Sequence, residues 1–275
     1  MKSNVVDVTK EYYDSSDADN FYFHVWGGED IHIGLYKSDS EPIAEASVRT
    51  VEAMAERIKH LPAGARVLDV GAGYGGAGRY LARKHGVHVT CLNLSLAQNE
   101  RNRQMNREQG LAEKVDVVDG DFENLPFEAD AFDAVWSQDA ILHSGNRKRV
   151  FEEIDRVLKP GGDIVITDPM QKPGVDKEAL RPVLDRIHLE SMGSVADYKA
   201  FATDLGWRVQ SVDLHNHQLV NHYSRVRAEL RSRESELREH CSAEYMERMQ
   251  MGLGHWIEAG KQGRLEWGIL HFRKG

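Results

Sequence analysis

Apolar and polar positions along this chain fall into two rhythms. Short apolar runs predict strands at 66–70, 87–93, 114–119, 132–137 and 162–168, while helical spacing recurs over 75–85, 96–109 and 146–158. Residues 41–60 also carry helical spacing (Ile43, Val48, Val51, Met54, Ile58), ended by Leu61-Pro62-Ala63-Gly64. Lys159-Pro160-Gly161-Gly162 is expected to stop the helix before it and turn the chain into the fifth strand. Regular alternation of strand and helix predicts an α/β fold with a parallel sheet.

Further along, 176–205 read as two helices, 207–214 as a strand and 265–272 as a closing strand. Residues 216–260 between them read as long amphipathic helix, broken near Glu239-His240-Cys241 and again at Gly252-Leu253-Gly254. An insert of that size exceeds a plain connection. It reads as a cap over the open end of the sheet; an exposed helical pair used for oligomer contacts is the alternative. Residues 1–40 are rich in rings (Tyr12, Tyr13, Phe21, Tyr22, Phe23, Trp26, Tyr36) without a clean period. Those rings either pack on the domain or form a lid. The expected division is an aromatic lid and helix over 1–62 and one domain over 63–275, with 216–260 as its cap.

A length of 275 residues suits one such domain. The formal charge of -9 disfavours nucleic acid as a partner. No apolar run approaches the ~20 residues that cross a bilayer, and Met1 to Lys10 lacks the apolar core of a secretion signal. Two lone cysteines, Cys91 and Cys241, fit a reduced cytoplasmic protein, and no His/Cys spacing suggests a metal site.

The densest chemistry lies in Val67-Leu68-Asp69-Val70 followed by Gly71-Ala72-Gly73-Tyr74-Gly75-Gly76. A buried strand, a glycine turn and a helix let backbone approach a ligand and aim free N–H groups at it. Ligands of parallel sheets bind beyond the carboxyl ends of the strands. Leu92-Asn93-Leu94-Ser95, Gly120-Asp121-Phe122 and Ser137-Gln138-Asp139 end at that same edge. Asp69-x-Gly71-x-Gly73, Gly120-Asp121-Phe122, Leu125-Pro126-Phe127, Phe132-Asp133 and Leu158-Lys159-Pro160-Gly161-Gly162 resemble the motifs of class I S-adenosylmethionine-dependent methyltransferases. The resemblance implies a seven-stranded Rossmann-like sheet with an N-terminal arm, and S-adenosylmethionine as cofactor. It assigns the cofactor's methionine part to the backbone at Gly71 and Gly73, counts Asp69 among the cofactor-binding residues, and gives the ribose to Asn93, where most of the family has Asp or Glu. Asp121 and Phe122 would meet adenine, with Gln98 covering it, although Asp121 alternatively caps a turn. Tyr13, Ile33, Leu94 and Gln138 complete the expected cofactor contacts.

The arm (Tyr12-Tyr13-Asp14-Ser15-Ser16-Asp17, then Tyr22 to Glu29) and Trp136 to His143 are similar to the small-amine N-methyltransferases, most closely the sarcosine/dimethylglycine branch. Transfer to an aliphatic amine needs the neutral amine. The resemblance to the phosphoethanolamine enzymes implies His143 as proton acceptor with Tyr22 as its partner. Asp139 is expected to orient the amine through water or its methyl groups, since a closer carboxylate would stabilise the ammonium. Tyr13, Tyr22, Phe23 and Trp26 are candidates for cation–π contact with a quaternary product, and Arg49, Arg181 and Arg225 for the substrate carboxylate. A phosphobase substrate would call on cap arginines Arg225, Arg227, Arg231 and Arg233, which alternate with Glu like a solvated face. A long apolar channel for a fatty substrate is disfavoured by the polar cap. A non-catalytic S-adenosylmethionine binder would keep the glycine loop without the Tyr–His pair.

Overall fold

A computed structural model describes residues 16–59, 61–187 and 189–275. The described chain begins with α1 (Ser16–Phe21), which runs into a π-helical turn at Tyr22–Gly27, and then α2 (Ile43–Ala55). Five strands follow: β1 (Arg66–Val70), β2 (His88–Asn93), β3 (Val115–Asp119), β4 (Phe132–Gln138) and β5 (Leu158–Thr167). The helices among them are α3 (Gly76–His85), α4 (Leu96–Glu108) and α5 (Arg147–Val157). The rest comprises β6 (Met170–Gln171), α6 (Lys177–Arg186), α7 (Val195–Asp204), β7 (Arg208–Leu214), α8 (Asn216–Ser232), α9 (Glu234–Leu237), α10 (Ala243–Lys261), β8 (Leu265–Glu266) and β9 (Gly268–Arg273).

Seven strands form one sheet in the order β3-β2-β1-β4-β5-β9-β7, with β9 alone antiparallel to its neighbours. The order reverses between β1 and β4, which opens a crevice at their carboxyl ends. Local signals set the helix ends. Gly75 and Gly86 take left-handed conformations at the two ends of α3, and the Ser95 hydroxyl caps α4 by accepting from Gln98 N–H. Ser194 and Asp197 form a reciprocal capping box on α7.

The apolar core has three parts. Val51, Met54, Val67 and Leu81 pack between one sheet face and α2 and α3. Phe132, Phe151, Ile154 and Tyr198 fill the other face under α5 and α7. The third joins the arm to the insert: Phe21, Trp26, Leu219, Val226, Met246, Trp256 and Trp267 form one cluster. Polar latches reinforce that join. Tyr74, inside the glycine loop, donates to the Asp19 carboxylate at 2.8 Å, and Arg79, fully buried, binds Glu29 at 2.8 Å. Ser242, the cap of α10, donates its backbone N–H to Asp17 at 2.9 Å.

Three expectations need correction. No break occurs at Gly252-Leu253-Gly254; α10 runs through both glycines, and Gly252 is pressed against Arg186, where a side chain would collide. Lys159-Pro160-Gly161-Gly162 follows the end of α5 at Val157, as expected, but already lies within β5, which starts at Leu158 and accommodates the segment by a register shift opposite Phe132 and Ala134. The closing strand is split by Trp267: β8 pairs with β6, β9 joins the main sheet, and the indole between them is fully buried.

Candidate active site

The glycine loop is bolted to its neighbours before any ligand is considered. Gly71 and Ala72 donate their N–H groups to Leu92 O at 2.8 and 3.1 Å, which ties the loop to the end of β2. The Ser137 hydroxyl donates to Val70 O at 3.0 Å, which ties it to β4. Gly71 has φ +77, and a Cβ there would stand 2.3 Å from that of Ala140. Only glycine allows this approach.

The loop opens on a cleft of about 740 Å³. Its walls include Gly71 and Gly73, Asn93 to Ser95, Gln98, Gly120 to Glu123 and Gln138 to Ala140. Asn93 donates its amide to Gln98 Oε1 at 2.9 Å, while Trp136 Nε1 donates to Gln138 Oε1 at 2.8 Å. Both glutamine oxygens are thereby used. The Nε2 groups of Gln98 and Gln138 are buried and have no hydrogen-bond partner among the described residues. Asp121 Oδ1 accepts from Glu123 N–H at 2.8 Å, so the turn-capping role is present alongside its place in the cleft wall.

A side pocket of about 280 Å³ holds Asp69, Asp30 and His32 beside Gly71 and Gln138. Burial pushes the Asp69 carboxyl up to about 7, against the nearby His32 charge. Burial also opposes a charge on His32, but the Asp30 carboxylate 3.4 Å away and that of Asp139 outweigh it and raise the imidazole's pKa.

A second pocket, about 420 Å³, meets the cleft at Ile31, Asp139 and His143, which line both. Its rings come from the arm and the insert: Tyr22 and Trp26, then Tyr223 and Trp256. Their centroids form a continuous series, 5.1 Å from Tyr22 to Trp26, 5.8 Å on to Tyr223 and 4.9 Å on to Trp256. Asp139 sits at the junction with φ +51. Its carboxylate accepts from Ile33 N–H at 2.6 Å and from Trp267 Nε1 at 2.8 Å. Burial raises the Asp139 pKa, while the His32 charge and these hydrogen bonds oppose the rise. His143 ends a single 3-10 turn, Ile141–His143, which is held by Leu142 N–H donating to the buried Asp168 carboxylate at 3.2 Å. Burial, and then the guanidinium groups of Arg147 and Arg186, push its imidazole down to about 4, so it is neutral near pH 7.

A methyltransferase domain family matches residues 68–166. The chain is 59% identical to a sarcosine/dimethylglycine N-methyltransferase of Aphanothece halophytica over 96% of each chain. It is 53% identical to the enzyme of that name from Halorhodospira halochloris, over 98% of this chain and 97% of the relative. The chain belongs to the sarcosine/dimethylglycine N-methyltransferase family. A crystal structure from Galdieria sulphuraria, provisionally assigned as a sarcosine dimethylglycine methyltransferase, superposes with a TM-score of 0.91 at 49% identity, over 96% of this chain and 99% of that one.

In this N-methyltransferase, most of the residues expected at the site converge. Gly71, Gly73, Asn93, Leu94, Gln98, Asp121, Phe122 and Gln138 line the cleft, and Asp69 lines its side pocket. Tyr22, Asp139 and His143 share the ring-lined pocket. Tyr13 lies outside the described residues. Ile33 departs from expectation: it lines the ring-lined pocket, and Ile31 reaches the cleft in its place. Phe23 turns away to Tyr74 and to Arg101, whose guanidinium carbon lies 4.2 Å from its ring centroid. The three arginines named for a carboxylate face carboxylates of the chain itself: Arg49 with Glu41, Arg181 with Glu178 and Asp185, Arg225 with Glu229. Sequence reasoning missed His32, Arg186, Tyr223 and Trp256, the last three because only tertiary packing brings α6, α8 and α10 to the arm. Glycines inside α10 were the one local sign that something crosses it.

Proposed function

We propose that this enzyme carries a methyl group from S-adenosylmethionine to the nitrogen of sarcosine and of dimethylglycine, towards glycine betaine. The observation that carries this reading is the junction of two unlike pockets at Asp139 and His143: one walled by buried amides and backbone, the other by aromatic rings. The cleft fits a cofactor rich in acceptors, since the Nε2 groups of Gln98 and Gln138 are buried donors that await one. Asn93 and Gln98 would hold the ribose side, Asp121 and Phe122 the base, and Gly71, Gly73 and Gln138 the amino-acid part. When bound, the cofactor supplies a methyl group already activated by its sulfonium charge.

The protein's own work is binding, alignment and one proton. The ring series favours a methylated ammonium by cation–π attraction, worth ~0.5–2 kcal/mol per ring. His143, neutral near pH 7, accepts the amine's proton, with Tyr22 on the same pocket wall as its partner. Each Asp139 oxygen accepts one N–H, and these donors favour the ionised form that burial disfavours. In that form it steadies positive charge at the junction. A phosphobase dianion suits this pocket less well. Arg227 and Arg231 face Gln250, Arg225 and Arg233 face Glu229, and none of the four lines the ring-lined pocket. The two cysteines are free and buried, which supports a reducing, cytoplasmic setting.

Mass spectrometry after separate incubation with glycine, sarcosine, dimethylglycine and phosphoethanolamine tests the reading. Betaine from dimethylglycine is the expected product. Methylation of phosphoethanolamine alone would overturn the substrate assignment.

A further inference from the structure

N-methylated glycines carry a carboxylate as well as an amine, and a place for that carboxylate is required only if the proposed substrate assignment holds. Arg186 is the arginine that lines the ring-lined pocket. It leaves the last turn of α6 and passes α10 at Gly252, where a Cβ would stand 2.4 Å from its Cδ and 2.9 Å from its Nε. Its guanidinium carbon lies 6.0 Å from the Tyr223 ring centroid, and its Nη2 is 3.9 Å from Met249 Sδ. Two more donors share that pocket. The indole N–H groups of Trp26 and Trp256, residues only 5% and 1% exposed, have no hydrogen-bond partner among the described residues. Buried donors left over on the wall of a cavity point to an acceptor-bearing ligand.

We propose that Arg186, with the indole N–H groups of Trp26 and Trp256, forms the subsite for the substrate carboxylate, and that Gly252 keeps open the passage by which Arg186 reaches it. One guanidinium presents a planar fork that matches a carboxylate monoanion. Binding there has a consequence for the proton. The charged and titratable groups around His143 are Tyr22 and His32 from the arm, Asp139 after β4, Arg147 from α5, Arg186 from α6 and Tyr223 from α8. Arg147 and Arg186 both disfavour a charged imidazole. A carboxylate seated on Arg186 neutralises one of them, so His143 becomes a better acceptor when an amino-acid substrate is present. The subsite thus selects for carboxylate-bearing amines in turnover as well as in binding.

Steady-state kinetics with dimethylglycine and with N,N-dimethylethylamine, which lacks the carboxylate, tests this in four variants. Arg186→Gln should raise KM for dimethylglycine ~10–100-fold, the worth of a charge-assisted pair, with Arg186→Lys recovering part. Discrimination against N,N-dimethylethylamine should fall by the same factor. The acid limb of kcat should move to higher pH, because a cation beside His143 has gone. Trp256→Phe keeps a ring and removes one donor, so KM should rise ~3–10-fold. Gly252→Ala should raise KM by displacing Arg186. S-adenosylhomocysteine affinity should stay within about twofold throughout. If wild type makes no betaine, the substrate assignment fails and this subsite with it. If wild type turns over and Arg186→Gln keeps its KM and its discrimination, the subsite alone is refuted. Should Arg186→Gln not fold, an unchanged KM in both Gly252→Ala and Trp256→Phe refutes it equally.

Discussion

Asp69 offers a direct thermodynamic test of how the cleft receives its cofactor. It is buried beside the glycine loop, and burial lifts its carboxyl from 3.8 to about 7. The cofactor assigned to this cleft carries a net positive charge, which favours the ionised carboxylate. Binding should therefore expel the proton from Asp69. With a pKa of about 7, the group is ~90% protonated at pH 6, ~50% at pH 7 and ~10% at pH 8, and those fractions are the protons released per site. Isothermal titration of S-adenosylmethionine in two buffers of different ionisation enthalpy measures them. S-adenosylhomocysteine, without the sulfonium charge, should release fewer. Asp69→Asn should abolish the release, which separates Asp69 from His32 in the same side pocket. The same residue sets a stability trend. A carboxyl with a raised folded-state pKa stabilises the fold below its unfolded value and loses that contribution as pH rises to about 7, on the order of 4 kcal/mol for a fully buried group. Melting temperature of the ligand-free protein should fall across that window in wild type and much less in Asp69→Asn. Equal proton release in wild type and variant, or none between pH 6 and 7, would refute the reasoning.

His143→Ala should lower kcat ~10²–10⁴-fold while leaving S-adenosylhomocysteine affinity nearly intact, measured by turnover and titration together; unchanged turnover removes His143 from the mechanism. Gly71→Ala places a Cβ 2.3 Å from that of Ala140 in a left-handed backbone, so calorimetry should show cofactor binding lost or weakened by orders of magnitude, whereas wild-type affinity would mean the loop is not packed as described. Tyr198→Phe strips the buried Asp168 carboxylate of its hydroxyl donor, and Asp168 in turn holds the turn that ends at His143. Denaturant unfolding should show a loss of ~1–3 kcal/mol, and turnover should fall with it.

The sheet was legible in the sequence because its strands are buried on both faces and its helices are capped locally. Val67, Leu68 and Val70 are fully buried, as a parallel central strand requires. The cleft was legible because its walls are short segments at strand ends, each with its own signature. The arm was not. Ala18, Phe21, Tyr22, Val25 and Trp26 are buried along one side of a short α-to-π helix, at helical spacing, but Phe23 and His24 interrupt that stripe and the other rings of the arm obscure it in the sequence. The glycines of α10 misled for a related reason. Glycine weakens a helix locally, but here α10 stays helical while packed on α6 and α8, and the absent side chain makes room for Arg186. Trp267 hid the split of the last strand, since the alternation of residues continues while the pairing partner changes from β6 to β5.

Asp139 shows why these separate pieces amount to one site. A left-handed backbone at a non-glycine residue costs ~1–3 kcal/mol and persists only where its surroundings over-determine it. Here they do so from three directions. The backbone N–H donates to Thr167 O at 2.8 Å at the end of β5; the carboxylate takes Ile33 N–H from the arm and the Trp267 indole from the β8–β9 junction. The arm and the insert share one apolar cluster through Phe21, Trp26, Leu219 and Trp256, so Ile33 cannot shift alone. Their common core therefore fixes the carboxylate at the point where cleft and ring-lined pocket meet. Alignment at that point is set when the chain folds, ahead of any ligand. For a transfer whose donor arrives already activated, pre-set alignment and exclusion of water are the main contributions left for a protein to make.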